Sequence, residues 1–113
     1  MTLNKVQTAI TNQPTVVVFI SSRTCSICHA DEPRVRALAQ QSHLPYYQLD
    51  IMDEPALASI FEVLTVPAVL IFHQGKEWSR QARFIEFNQL TADFDALVTI
   101  SAPVNYEDLF KKN

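Results

Sequence analysis

With 113 residues, 48% of them hydrophobic, the chain is long enough to bury one core and too short for two ordinary domains. A formal charge of −3, with Lys and Arg scattered along the sequence, argues against nucleic acid and against an anionic membrane surface as partners. The two cysteines, Cys25 and Cys28, are too few and too close to frame a secreted mini-protein, because a bridge over two residues constrains the unfolded chain little.

The N-terminus has a single Lys5 and no apolar segment followed by a small-residue cleavage site, so no signal peptide is expected and the expected location is the cytoplasm. Leu3, Val6 and Ile10 recur at helical spacing until Asn12, Gln13 and Pro14 break the pattern, which predicts a short first helix. The β-branched and aromatic run at 15–20 (TVVVFI) has no polar alternation, the pattern of a central strand covered on both faces. It is far too short to cross a bilayer, which takes about 20 residues.

Val35, Leu38 and Ala39 then restore helical spacing, which places Cys25 at a strand-to-helix junction and Cys28 in the first helical turn. Pro33 is expected to kink this helix. Residues 46–51 (YYQLDI) read as a second strand, and Pro55 suits the first turn of a helix carrying Leu57, Ile60 and Phe61. Residues 68–72 (AVLIF) form another apolar strand, and His73, Gln74, Gly75 and Lys76 hold the one glycine, as a tight turn between strands requires. A fourth strand follows over 78–84, and Leu90, Phe94, Leu97 and Val98 fit a closing amphipathic helix capped by Asn88.

A helix between the first two strands makes them parallel through a right-handed crossover, and the glycine turn makes the last two antiparallel. The expected fold is therefore α/β: a mixed four-stranded sheet, with room for a short fifth strand, flanked by helices. It forms one domain over residues 1–100, followed by a tail, 101–113, that contains Pro103 and a short helical pattern at 106–112.

In such sheets chemistry gathers at the carboxyl ends of the strands, where Cys25 falls. A C-x-x-C pair at the start of a helix has two physical consequences. The unpaired amides and the helix dipole stabilise a thiolate on the first cysteine, and the second lies close enough to resolve any mixed disulfide. Inside a β-α-β pattern this spacing is a strong redox signal.

Four features carry a family resemblance: Cys-Ser-Ile-Cys after an apolar strand, Pro33 five residues beyond Cys28, Leu49-Asp50 closing the second strand, and Thr65-Val66-Pro67 before the third. In their order and spacing the chain resembles the thioredoxin family over roughly residues 6–98. The resemblance implies a nucleophilic Cys25, a resolving Cys28 and a cis Pro67 beside the dithiol. It also implies that the Val66 backbone can pair with an extended client segment by strand addition, with Thr24 and Ile27 as further substrate contacts.

The chain departs from the family pattern in several places. Phe19 stands where thioredoxins carry a buried acid, and Gln48 stands where its lysine partner is found, so the family's proton acceptor for the second cysteine is missing. Thr24 replaces the tryptophan before the first cysteine, Ser26 and Ile27 replace Gly-Pro, and the late glycine of the substrate groove is replaced around Arg83 or Phe84. Relatives with different intervening dipeptides span about −270 to −120 mV, so Ser26 and Ile27 do not set the direction of electron flow.

Other patterns have blander explanations. His29 completes the haem-attachment string C-x-x-C-H, but here it interrupts a β-α unit, and a solvated helical histidine is the preferred reading. His43 and His73 lack finger-like spacing to the cysteines, so no metal is expected. Trp78, Phe72, Phe84, Phe87 and Phe94 read as core and hairpin cover, and Asp50 and Asp53 as turn carboxylates. Asp31 and Glu32 read as first-turn acids that favour the helix dipole and slightly oppose a Cys25 thiolate, and Arg34 and Arg36 as solvated.

The function expected from these residues is thiol–disulfide exchange with protein disulfides, as a cytoplasmic reductase recharged by a disulfide reductase or a low-molecular-weight thiol. No cofactor is expected. The alternative is a thioredoxin-fold binding or accessory module with little redox turnover, prompted by the Phe19, Gln48 and Thr24 departures and by the tail.

Overall fold

Every residue of β1 (Thr15–Ser21) is buried, as an unbroken run of β-branched and aromatic side chains requires at the centre of a two-sided sheet. In the computed structural model, which describes residues 2–101, β1 lies between a parallel β2 (Tyr46–Asp50) and an antiparallel β3 (Ala68–His73). Strand β4 (Lys76–Ala82) pairs antiparallel with β3 and completes the order β2-β1-β3-β4. Helices α1 (Leu3–Asn12), α2 (Ser26–Gln41), α3 (Leu57–Ile60) and α4 (Phe87–Ser101) occupy the connections and the two ends. The α/β fold and mixed four-stranded sheet expected from the sequence are present, with no fifth strand among the described residues. The helical pattern at 106–112 lies outside the described residues.

Alternation along β1 divides the core into two layers. Val16, Val18 and Ile20 face Val6, Ala9 and Ile10 of α1 together with Leu57 of α3. Val17 and Phe19 face Cys28, Val35 and Ala39 of α2 together with Leu90, Phe94 and Leu97 of α4. Full burial of each large apolar side chain favours folding by about 1.5–3 kcal/mol, so the sheet is clamped from both sides while the cysteine helix belongs to one. Arg34 is exposed, as expected, and its guanidinium also lies 3.7 Å from the centroid of the Phe87 ring, which ties α2 to α4.

Several boundaries differ from expectation for local reasons. Gln74 and Gly75 both have positive φ, 52° and 80°, the primed two-residue turn that matches strand twist. The hairpin therefore closes at once, and β4 starts at Lys76 rather than at Trp78. It stops at Ala82 because Arg83 turns to φ 72°. Helix α3 is a single turn that begins after Pro55. The preceding chain is occupied by i→i+3 turns, with the Leu57 amide donating to Glu54 and the Ala58 amide to Pro55, and Glu62 at φ 53° ends the segment. Ile60 and Val98, expected on packed faces, are 45% and 40% exposed.

Asn88 is not the cap of α4. The helix starts one residue earlier, and the Glu86 carboxylate accepts from the Asn88 amide at 3.1 Å. Phe84 is not core either: it is 71% exposed, because the turn at Arg83 swings it off the sheet. Helix α2 runs continuously through Pro33, which sits exposed on it. Across β4, Arg80 donates to Glu77 on its own strand and to the Phe61 and Glu62 carbonyls, fastening the edge strand to the segment after α3.

Candidate dithiol site

The chain leaves β1 at its carboxyl end and turns through Ser22, Arg23 and Thr24 into α2, with Cys25 as the residue that caps the helix. The Cys25 amide donates to the Ser22 carbonyl at 2.9 Å, and the Ser22 and Thr24 hydroxyls bond at 3.0 Å. These local bonds hold the turn. Cys25 has extended backbone angles and half-buried exposure, so its sulfur stands in front of the first helical amides. The Cys28 amide donates to the Cys25 sulfur at 3.2 Å, the contact that stabilises negative charge on it.

Cys25 and Cys28 are joined in a disulfide, with their Cα atoms 5.2 Å apart. The two cysteines have unlike surroundings. Cys28 is 2% exposed and packs in the layer with Phe19 and Val35, whereas Cys25 sits at the rim of the same layer. Val66 also packs against this cluster, which brings it to the dithiol, and the Val66–Pro67 bond is cis, as the resemblance implies. Pro67 itself is buried, while Thr24 and Ile27 are exposed on either side of Cys25, Ile27 at 51%. The sequence-predicted residues Cys25, Cys28, Val66, Pro67, Thr24 and Ile27 thus gather at one end of the sheet.

Arg83 resolves the question of the late glycine. It alone of the two candidates has positive φ, and its amide donates to the Pro67 carbonyl at 2.7 Å, so this is the position beside the proline loop that glycine suits best. His29 does not reach toward the sulfurs. Its Nε2–H donates to the Arg23 carbonyl at 3.0 Å on the exposed side of the turn. Arg23 pairs with Asp53, and Asp50 accepts from the Met52 amide at 2.7 Å, so both aspartates serve the surrounding turns. The Asp53 partnership holds the Arg23 guanidinium above its ordinary pKa, first by hydrogen bonding and then by charge.

Helix α2 begins at Ser26 and its first turn carries no acid, so Asp31 and Glu32 fall in its second turn. Glu32 instead turns inward. Its side chain is 12% exposed and accepts from the Tyr46 hydroxyl of β2 at 2.8 Å, with Arg36 at 3.7 Å. Burial, and then the neighbouring Glu32 carboxylate, push the Tyr46 phenol well above its usual value. A cavity of about 240 Å³ is lined by Cys28, Arg23, His29, Glu32, Gln48 and Asp50. The sequence reading missed this cavity. The available signal was the four-residue interval from Cys28 to Glu32, which puts both on one helical face.

The thioredoxin family model matches residues 1–96. The thioredoxin-like protein YdfQ of Bacillus subtilis (strain 168) is 36% identical over 74 residues, covering 65% of this chain and 66% of that protein, just under two thirds of its length. Among solved structures, a variant thioredoxin from Halobacterium salinarum superposes with a TM-score of 0.78 at 20% identity over 87% of both chains. Thioredoxin 1 from Thermosipho africanus superposes at 0.71 and 23% identity, over 78% of this chain and 99% of that one. At such identities these two likenesses bear on the fold alone. Since the family model takes in the whole sheet and the Cys25–Cys28 pair, the chain belongs to the thioredoxin family.

Proposed function

We propose that this protein is a cytoplasmic protein-disulfide reductase. The Cys25 thiolate attacks one sulfur of a client disulfide, forming a mixed disulfide and releasing the other client sulfur as a thiolate that takes a proton from solvent. Cys28, as thiolate, then attacks the Cys25 sulfur. The second client thiol leaves, the client has gained two electrons, and the Cys25–Cys28 disulfide has formed. A disulfide reductase or a low-molecular-weight thiol returns two electrons and two protons to restore the dithiol. Val66, Thr24 and Ile27 receive the client, the first through its backbone and the others through exposed side chains beside Cys25.

The observation that carries this reading is the asymmetry of the pair: a half-buried Cys25 whose sulfur accepts the Cys28 amide at 3.2 Å, backed by a Cys28 only 2% exposed. The first sulfur is accessible and charge-stabilised, and the second is sheltered from clients and reachable only by its neighbour. Replacing Cys28 with Ser is expected to trap mixed disulfides through Cys25 on non-reducing gels, and the dithiol protein is expected to reduce insulin disulfides above the dithiothreitol background. Failure of both would sink the reductase reading.

Complete burial of Phe19, where the family has an acid, favours a second reading as an accessory module with slow turnover. Partner capture that survives replacement of both cysteines by Ser would support it. Equilibration of the pair against a glutathione series separates donor from acceptor, since a reductase must sit at or below the cytosolic poise.

A further inference from the structure

A thiol buried among apolar side chains ionises with difficulty, yet Cys28 must lose its proton to attack Cys25. Phe19 and Val35 share its apolar layer. Cys28 also lines the cavity of about 240 Å³, together with the polar side chains of Glu32, Gln48 and Asp50, and this space is roomy enough for several waters at about 30 Å³ each. Glu32 lines that cavity one helical turn beyond Cys28. Its carboxylate is fixed there from another element, by the Tyr46 hydroxyl at 2.8 Å.

We propose that Glu32 is the proton acceptor that enables Cys28 to resolve the mixed disulfide, through solvent in this cavity; the inference rests on the redox reading above. Before the second attack the proton passes from the Cys28 thiol to the Glu32 carboxylate. The Cys28 sulfur then bonds to the Cys25 sulfur as the bond to the client sulfur breaks, and the departing client thiolate is protonated by Glu32 or by solvent. Electrons and protons balance with no further reactant.

Asp50 is the other carboxylate on the cavity wall, but it is occupied by the Met52 amide at 2.7 Å and stands at the end of β2, off the Cys28 helix. The charged and titratable groups around Glu32 are Arg36 and His29 on its own helix, Tyr46 and Asp50 from β2, and Arg23 from the preceding turn. Of these, Arg36 pairs with the carboxylate at 3.7 Å and Tyr46 donates to it at 2.8 Å.

The test follows the reaction of the dithiol protein with dithiobis(nitrobenzoate), which releases one coloured thiolate as Cys25 attacks and a second as Cys28 resolves. Glu32→Gln keeps an oxygen for the Tyr46 hydroxyl and removes the basicity. It is expected to leave the first release unchanged and to slow the second at least about tenfold near neutral pH, within the range removed general bases cost. Glu32→Asp should recover part of the rate, and Asp50→Asn should leave both releases as they were. In the unsubstituted protein the second release should stay level through the neutral range.

The proposal is overturned if Glu32→Gln and the unsubstituted protein share one second-phase rate, or if Asp50→Asn produces the loss. It is equally overturned if the unsubstituted protein's second phase climbs about tenfold per pH unit through the neutral range, a measurement that needs no variant to fold. An unsubstituted protein that completes both releases but leaves insulin intact overturns the reductase reading instead.

Discussion

Phe19 is fully buried in the layer that also holds Cys28, Val35 and Phe94. An ionised side chain buried there would need a partner to offset the loss of water, so the phenyl ring serves packing. Truncation should show what that packing contributes. Phe19→Ala is expected to lower unfolding free energy by about 3–5 kcal/mol in urea titrations, the range for large cavities left by aromatic side chains. A loss under about 1 kcal/mol would mean that the layer collapses around the gap and that the aromatic ring was dispensable.

At the scale of elements, β4 is an edge strand with mostly exposed side chains, and Arg80 anchors it to the chain after α3. The Glu77 carboxyl is held below the usual carboxylate range, mainly by its hydrogen bond from Arg80. A carboxylate with a lower pKa in the folded chain stabilises the fold above its unfolded pKa, and that contribution disappears as pH falls through the lowered value. The side chains are 34% and 38% exposed, so the pair is worth only about 0.5 kcal/mol. Glu77→Gln should therefore cost about 0.5 kcal/mol at neutral pH and nothing once both states are protonated at about pH 2, compared by denaturant midpoints. An equal cost at both pH values would assign the effect to shape rather than charge.

Elements whose burial pattern is regular were legible in the sequence. The two-sided run of β1, the glycine turn and the helix opened by Cys25 all follow from local residue types acting alone. Less legible were features that depend on two elements meeting. Glu32 turns inward because Tyr46, fourteen positions later on β2, offers it a hydroxyl, and no local pattern announces that pairing. Phe84 leaves the core because Arg83 reverses φ to bond the Pro67 carbonyl, although phenylalanine alone reads as buried. Helix α3 shrinks to one turn because successive i→i+3 turns compete with it from Asp50 onward.

For the molecule as a whole, the sheet separates two apolar layers, and only one contains the dithiol. Stability and redox behaviour should therefore be separable by mutation. Leu57→Ala, on the α1 and α3 side, is expected to cost about 2–5 kcal/mol. It should leave the Cys25–Cys28 equilibrium with glutathione where it was, to within about threefold, since the two clusters lie on opposite faces of the sheet and Leu57 is in the one without the cysteines. A larger displacement would mean that the sheet transmits packing changes from one face to the other.

The stack of Arg34 on Phe87 has a consequence for the layer that carries the cysteines. A guanidinium keeps its charge at any pH a cell meets, and a phenyl ring has no proton to gain or lose. Acidification can loosen carboxylate-based fastenings, the Glu32 bond to Tyr46 among them, but this brace between α2 and α4 stays in force, so the two helices should keep one tie in acid that the edge strand lacks.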